Sequence, residues 1–497
     1  MRPIGAQRPR LYGLPKTHKP EVPLRPILSL VGSAEHKLAR FLNNLLEPVT
    51  KRFSTYALKD SFAFAEKIRG TPAGNTYMVS FDVRSLFTNV PLEETINICA
   101  DALYRDNQLK LLKCNFIELM RKATSAIEFS FNGEMYRQKD GVAMGSPLGP
   151  TLANIFMGYL EEKYFCNNKE PVVYYRYVDD CFVLFNNKEE CKNMFDDFNR
   201  MHPSIKFTLE TENDNKLSFL DILMERKDDK FYTSVFRKKT FTGQYVNYHS
   251  YCSDKRKINL IRTLCDRAKK ICSPNYLDNE IRNIKDILLD NGFPESLIVN
   301  TIKRVLQSTP KEPEIGPELH TIAIKLPFLG KRSYALEKAL KKNIQECYNS
   351  AVARVIFASP NNFSPASKDP IPLTKKSMVV YHFQCHCGND YVGKTSRRLI
   401  ERIKEHVPPC ARKYFANPEG KYSDNTTLLN ASKRSSVTKH LLDNYQTCGK
   451  EYGDERFSIL RSCPTEFQLT VCEAVLITTM EPTLCIQREF DYTTSLI

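Results

Sequence analysis

Two adjacent aspartates, Asp179 and Asp180, interrupt the apolar stretch YYRYVDDCFVLF. Side-by-side carboxylates between apolar strands are costly unless a metal or a basic side chain neutralises them. The stretch therefore reads as a hairpin that carries its acids to a cation. A third acid, Asp82, ends the apolar run in YMVSFDVRSLFTNVP. Between the two lies QKDGVAMGSPLGPTLANIF, a Gly/Pro-rich loop that enters a helix. Three carboxylates on strand ends supply hard oxygen ligands for two divalent ions. Such a pair suits in-line attack on a nucleotide phosphate, one ion activating a 3′-hydroxyl and the other holding the leaving pyrophosphate.

The surrounding pattern alternates strand and helix. TYMVSFDV reads as a strand, LEETINICADALY as a helix, and SAIEFSFNGEMYRQ as a hairpin turning at Asn132-Gly133. PLGPTLANIFMGYLEEKYF and KEECKNMFDDFNRMH read as helices, and IKFTLE, LSFLDILMER and KFYTSVFRK as strands. VGSAEHKLARFLNNLLEPVTKRF carries apolar residues at helical spacing. Further on, Ile261, Leu264, Ala268 and Ile271 form an apolar helical stripe, with Lys257, Arg262, Arg267, Lys269 and Lys270 off it. A Pro-rich break, STPKEPEIGPE, precedes a strand–helix–strand pattern from His320 to Ser359, and SPNNFSPASKDPIP is a second linker.

The chain has 497 residues and a formal net charge of +15. The length predicts several domains, and the charge a polyanionic partner, nucleic acid before membrane. No apolar run approaches the ~20 residues of a membrane span, and no secretory signal follows Met1. An intracellular setting leaves the 16 cysteines mostly as reduced thiols. With no Trp, stacking on bases falls to Tyr and Phe. Because motif-like sequence starts at PRLYGLPKTHKPEVPLRPILS, part of the natural N-terminus is expected to be missing.

The last block holds a second constellation. Two strand-like segments contain Tyr381 and Tyr391, and the helix after them carries Arg402 and His406, four residues apart on one face. Much later, EFQLTVCEAVLITTMEPTLC places Glu473 in an apolar helix. Two tyrosines, an arginine and a glutamate suffice for one-metal phosphodiester cleavage: Tyr relays a proton, Arg holds the phosphate, Glu holds the metal. Cys385 and Cys387 are close enough to act as paired thiolate ligands, with His440, His406 and Cys410 as candidates to complete a tetrahedral site.

With these residues in view, the chain resembles the reverse transcriptases, and more narrowly the Penelope-like retroelement polyproteins. The resemblance rests on YGLPKTHKP, LRPILS, SFDVRSLFTNVP, DGVAMGSPLGPTLANIFM, YRYVDDCFV, IKFTLE and LSFLDI, in that order. It implies a multidomain α/β (α+β) architecture, a right-hand polymerase with fingers, ferredoxin-like palm and helical thumb. The implied divisions are fingers at 1–75, palm at 76–235, thumb at 236–311, a connector at 312–375 and a small α/β nuclease at 376–497. Asp82, Asp179 and Asp180 match the catalytic carboxylates, binding two Mg²⁺. Phe87 matches the bulky residue that clashes with a ribose 2′-hydroxyl, so dNTPs are favoured. Arg25 matches a contact to the incoming triphosphate, with Lys16 and Lys19 nearby. Gln138 and Gly145-Ser146-Pro147 resemble the loop shaping the nucleotide and template pocket, although Met144 stands where many relatives have Gln.

The last block resembles the GIY-YIG nucleases, with VVY and YVG in place of the naming tripeptides. That resemblance assigns Tyr381, Tyr391, Arg402 and Glu473 to catalysis, one Mg²⁺ to Glu473, and Zn²⁺ to Cys385, Cys387, His406 and His440. His406 is claimed by both sites. The implied activity is RNA-directed DNA synthesis coupled to nicking of target DNA. The partners are the element's own transcript as RNA template, target DNA and dNTPs, with no membrane, in the nucleus. Two other readings are a host-adopted nucleic-acid-binding protein without catalysis and a telomerase-like end-extending enzyme.

Overall fold

The structure, a computed structural model, describes residues 6–17, 21–106, 110–125, 127–168, 170–307, 320–348, 350–358, 371–418 and 425–485. Lys19 and most of both Pro-rich linkers lie outside them.

The N-terminal strands β1 (Arg10–Pro15) and β2 (Leu24–Ser29) form an antiparallel pair. After a helical stretch comes β3 (Tyr77–Val83), whose penultimate residue is the first site aspartate, Asp82. The hairpin β4 (Glu128–Phe131) and β5 (Glu134–Arg137) extends the first sheet in the order β2-β1-β4-β5. Its turn residues Asn132 and Gly133 both have positive φ, the twist that two-residue hairpins need.

Strands β6 (Val173–Tyr177), β7 (Asp180–Phe185) and β8 (Phe207–Thr211) join β3 in an antiparallel sheet ordered β6-β7-β3-β8. Side chains alternate across a strand, and here both faces are covered. Val79, Phe81, Val83, Cys181, Val183 and Phe185 pack with the helices Gly149–Phe165 and Lys188–Met201, against Leu152, Phe156 and Phe198. Met78, Phe182 and Leu184 face the other way, into a core with Phe64, Phe219 and Met224. Asp82 and Asp180 share the parity of this second set, so they lie on its face at the strand ends.

That second face is closed by β9 (Lys216–Phe219), β10 (Ile222–Lys227) and β11 (Lys230–Val235), ordered β11-β10-β9. LSFLDILMER, expected as one strand, folds back on itself. Leu220 takes φ +56°, and Ile222 pairs with Phe219. The apolar pattern continues through the turn because both strands need it, which hides the turn from periodicity. The helix expected after Val31 likewise divides at Leu46, into Ala34–Leu45 and Glu47–Arg52.

Three helices follow, Asp254–Ile271, Pro274–Asp290 and Glu295–Gln307. Ile261, Leu264 and Ala268 pack there with Ile284, Leu288 and Ile298. Lys257, expected on the basic outer face, is instead buried, its ammonium over the Tyr248 ring at 4.8 Å. The four-carbon stem packs as a hydrophobe while the charge meets the ring's negative face. Next, β12 (His320–Pro327) and β13 (Ala351–Ala358) pair in parallel around the helix Arg332–Cys347. The last unit is a sheet of β14 (Val379–Gln384), β15 (Asp390–Thr395) and β16 (Phe457–Ser462), ordered β15-β14-β16. Helices Leu399–His406, Ser436–Asp443 and Glu466–Met480 pack around it.

Candidate active sites

The register of β3 and β7 sets Asp82 directly opposite Asp180. Asp179 precedes β7 in the turn, and its carbonyl accepts a hydrogen bond from the Val83 N–H at 3.0 Å. The three carboxylates therefore converge by backbone pairing alone. A cleft of about 570 Å³ opens beside them, lined by Asp82 and Asp179 with Lys16, Arg25, Phe87 and Met144. Two cations and two acids lining one cleft suit a triphosphate bridged to metal. Burial, then the neighbouring Asp179 and Asp82, pushes Asp180 from 3.8 up to about 7. The donor set is thus all hard oxygen with more negative charge than its surroundings neutralise, which fits divalent Mg²⁺.

Phe87 lines the cleft floor beside Gly149 and packs against the helix-face core. Gly145, at φ +124°, runs so close to β2 that a Cβ there would meet the Leu28 carbonyl oxygen at 2.6 Å. Only glycine fits both the conformation and the space. Through this approach the Leu28 N–H donates to the Met144 carbonyl at 2.9 Å, tying the loop to the strand that carries Arg25. Ser146 is buried, its hydroxyl accepting from the Leu148 N–H at 3.3 Å, and with Pro147 it shapes the loop from behind. Gln138 turns inward, donating to the Gly141 carbonyl at 2.7 Å, and does not line the cleft. Arg84, Ser85, Thr88 and Thr208 line it too. The first three were legible as neighbours of Asp82 in VRSLFT, whereas Thr208 arrives by strand pairing.

The second constellation also converges. Tyr381 on β14 is fully buried, and Arg402 Nε donates to its hydroxyl at 3.1 Å. That hydroxyl lies 2.6 Å from His406 Nε2, and His406 Nδ1 lies 3.0 Å from Ser435 Oγ. Burial, reinforced by Arg402, lowers His406 to about 3, so the ring is neutral. Arg402, Tyr381, His406 and Ser435 thus form one continuous hydrogen-bonded chain. Burial raises the Tyr381 hydroxyl, Tyr391 adds to it and Arg402 opposes it. Gly393 permits this crowding, since a Cβ there would lie 2.7 Å from the Tyr381 hydroxyl. The Tyr381 and Tyr391 ring centroids are 6.3 Å apart. Glu473 is buried, and its carboxylate pairs with Lys394 Nζ at 3.1 Å.

A third cluster brings together Cys385, Cys387, His440 and Cys448, with ligand atoms all within 4.8 Å of one another. This corrects the expected set: His406 is engaged with Tyr381 and Ser435, and Cys448 takes the fourth position. The exchange was hidden because Cys448 follows the helix Ser436–Asp443 and reaches the β14–β15 turn only through folding. Burial raises the Cys385 thiol to about 12, while burial of Cys387 is outweighed by the Asn389 backbone N–H and neighbouring thiols, which lower it. Three thiols and an imidazole at this spacing fit tetrahedral Zn²⁺.

Among the described residues, no helix is long and apolar enough to cross a membrane. No curated protein matches the chain. Among solved structures, telomerase from Candida albicans in complex with a TWJ fragment of telomeric RNA is 10% identical, covering 61% of each chain at a TM-score of 0.42. Apo telomerase from Candida tropicalis is 14% identical over 62% of this chain and 60% of that one, at a TM-score of 0.39. The RNA-dependent RNA polymerase of a human picobirnavirus is 12% identical over 61% and 60%, at 0.40. The chain thus spans about three fifths of the length of each. Residues 244–303 match the animal helix-turn-helix domain family, across the segment expected as a thumb. Residues 17–221 match the family described as reverse transcriptase (RNA-dependent DNA polymerase), and this stretch, which holds Asp82, Asp179 and Asp180, is a reverse transcriptase domain.

Proposed function

We propose that the chain is the RNA-directed DNA polymerase of a Penelope-like retroelement, coupled to a GIY-YIG endonuclease that nicks target DNA to expose a primer. The observation that carries the polymerase half is that Asp82 and Asp179 line one cleft with Lys16, Arg25 and Phe87 while Asp180 pairs directly opposite Asp82. The proposed divisions are a right hand with fingers to residue 75, palm to 235 and helical thumb to 311, then a connector and a nuclease from 376. Asp82, Asp179 and Asp180 would hold two Mg²⁺, which when bound lower the barrier to attack of a 3′-hydroxyl on the α-phosphate. Arg25 and Lys16 orient the triphosphate. Phe87 fills the space beneath the sugar and selects dNTPs. The template is the element's own RNA, and synthesis takes place in the nucleus.

In the nuclease, Glu473 would hold one Mg²⁺, whose charge when bound stabilises the phosphate under attack. Arg402 is placed to grip that phosphate and keeps the Tyr381 oxygen oriented. Tyr381, hydrogen-bonded to Arg402 Nε and His406 Nε2, keeps that guanidinium in place, and the less buried Tyr391 is suited to relay the proton of the attacking water. Lys394 Nζ, 3.1 Å from the Glu473 carboxylate, orients it. The Cys385, Cys387, His440 and Cys448 cluster would hold Zn²⁺ and brace the unit.

One assay tests both halves. The purified chain is given a DNA primer on an RNA template, dNTPs, Mg²⁺ and supercoiled plasmid. The expected outcome is primer extension abolished by Asp179→Ala with Asp180→Ala, and plasmid nicking abolished by Arg402→Ala or Glu473→Ala with extension intact. Extension by the double aspartate variant sinks the polymerase assignment. Nicking insensitive to Arg402 and Glu473 leaves an end-extending or binding protein instead.

A further inference from the structure

Behind the aspartate hairpin, on the opposite face of its sheet, lies an ion pair with no exposure to solvent. Arg176 on β6 is 0% exposed and Glu161 1%. Arg176 Nε donates to Glu161 Oε1 at 2.5 Å and Nη2 to Oε2 at 3.1 Å. The Tyr174 hydroxyl also donates to Glu161 Oε1, at 2.7 Å. Burial works against the Arg176 charge, but Glu161 outweighs it and leaves the guanidinium firmly protonated. A buried pair of this kind is weak evidence for stability, because a well-packed apolar pair often serves as well or better. Its placement here has to be explained by where the remaining donor goes.

That donor, Nη1, is shared between Asn154 Oδ1 at 2.9 Å and the Val178 carbonyl at 3.2 Å. Asn154 and Glu161 are seven residues apart on the helix Gly149–Phe165, so two turns of one face receive the whole guanidinium. Val178 is the residue immediately before Asp179, and its φ is +56°. A β-branched side chain in the left-handed region is strained and persists only where the surroundings over-determine it. The Arg176 backbone is pinned as well, with its N–H on the Tyr56 carbonyl at 2.9 Å and its carbonyl on the Leu58 N–H at 2.7 Å.

We infer that Arg176, anchored by Glu161 and Asn154, is a positioning residue that locks the strained Val178 turn and so fixes the direction in which Asp179 and Asp180 present their carboxylates. Arg176 pairs with Cys181 and shares its face, away from the cleft, so it touches neither nucleotide nor metal. The inference rests on the polymerase assignment above and adds to it the group that sets the geometry of the metal ligands.

The test replaces both charges together, Arg176→Met with Glu161→Leu, so that no unpaired charge is left buried. This variant is expected to melt no lower than the parent. Its primer-extension kcat is expected to fall about 100-fold, the scale of a 1 Å misplacement, with the KM for dNTP little changed and more Mg²⁺ needed for the half-maximal rate. Mn²⁺ binding by calorimetry in the absence of nucleic acid should weaken in parallel. Arg176→Lys, which keeps the charge but lacks the forked geometry, should recover only part of the rate. A double variant that melts, binds Mn²⁺ and extends primers like the parent overturns the inference. Failure of the parent itself to extend primers counts against the polymerase assignment instead, and the Mn²⁺ measurement still judges the turn.

Discussion

At the scale of single residues, Asp180 shows what the crowding of three carboxylates does to stability. Its carboxyl is held up at about 7 by burial and by Asp179 and Asp82, against 3.8 for the free group. Between about pH 4 and 7 the folded chain keeps a proton that the unfolded chain has released. Stability of the metal-free protein therefore falls as pH rises through that window and levels off above it. Asp180→Asn should remove this slope and raise the melting temperature in EDTA at pH 8, as thermal melts from pH 4 to 8 will show, while abolishing primer extension. Mg²⁺ binding should strengthen over the same range, since the ion displaces that proton. Asp82, Asp179 and Asp180 each stand in a local motif, an acid near the end of an apolar strand or a pair at a turn, whereas Arg176, Ser435, Lys394 and Cys448 do not. Glu161, His406 and Glu473 lie 15, 29 and 79 residues from the first three, and Cys448 is 61 and 63 residues from the two cysteines it joins, pairings that no local spacing encodes.

At the scale of elements, helix and strand identities followed from apolar periodicity, including the Asn132-Gly133 hairpin and the two strands of the last sheet that carry Tyr381 and Tyr391. What periodicity could not supply were breaks inside apolar runs, at Leu46 and Leu220, where both flanking pieces are buried on the same side. Close backbone approach is equally invisible. Gly158 lies in the helix Gly149–Phe165, where propensity alone favours Ala, yet a Cβ there would run into the Phe53 carbonyl. Gly158→Ala should therefore destabilise the protein by about 1–3 kcal/mol, the usual cost of overpacking, measured by urea denaturation. A gain in stability would mean that the helix Glu47–Arg52 and the residue after it yield readily to the new methyl group.

At the scale of the whole molecule, the charge of +15 and the linker composition led to the expectation of a polyanionic partner and several units, but said nothing of how each unit is braced. The reverse transcriptase domain is built on two apolar cores, one on each face of its sheet. The last unit is smaller and adds the Cys385, Cys387, His440 and Cys448 cluster, which links the β14–β15 turn to the segment after the helix Ser436–Asp443. Cys448→Ser should lower the zinc content by about one equivalent per chain, measured by atomic absorption, and should lower the melting transition of this unit while primer extension continues at the parental rate. Zinc content equal to the parent's would remove the cluster from consideration.

The pairing of Asp82 with Asp180 across two neighbouring strands has an evolutionary corollary. Because strand positions alternate sides, one extra codon in β3 ahead of Asp82, or in β7 behind Asp180, would swing that acid into the greasy layer beneath the helices. Lineages of this gene can thus tolerate many exchanges of letters around the two acids, yet hardly any change in the count of letters along those two strands.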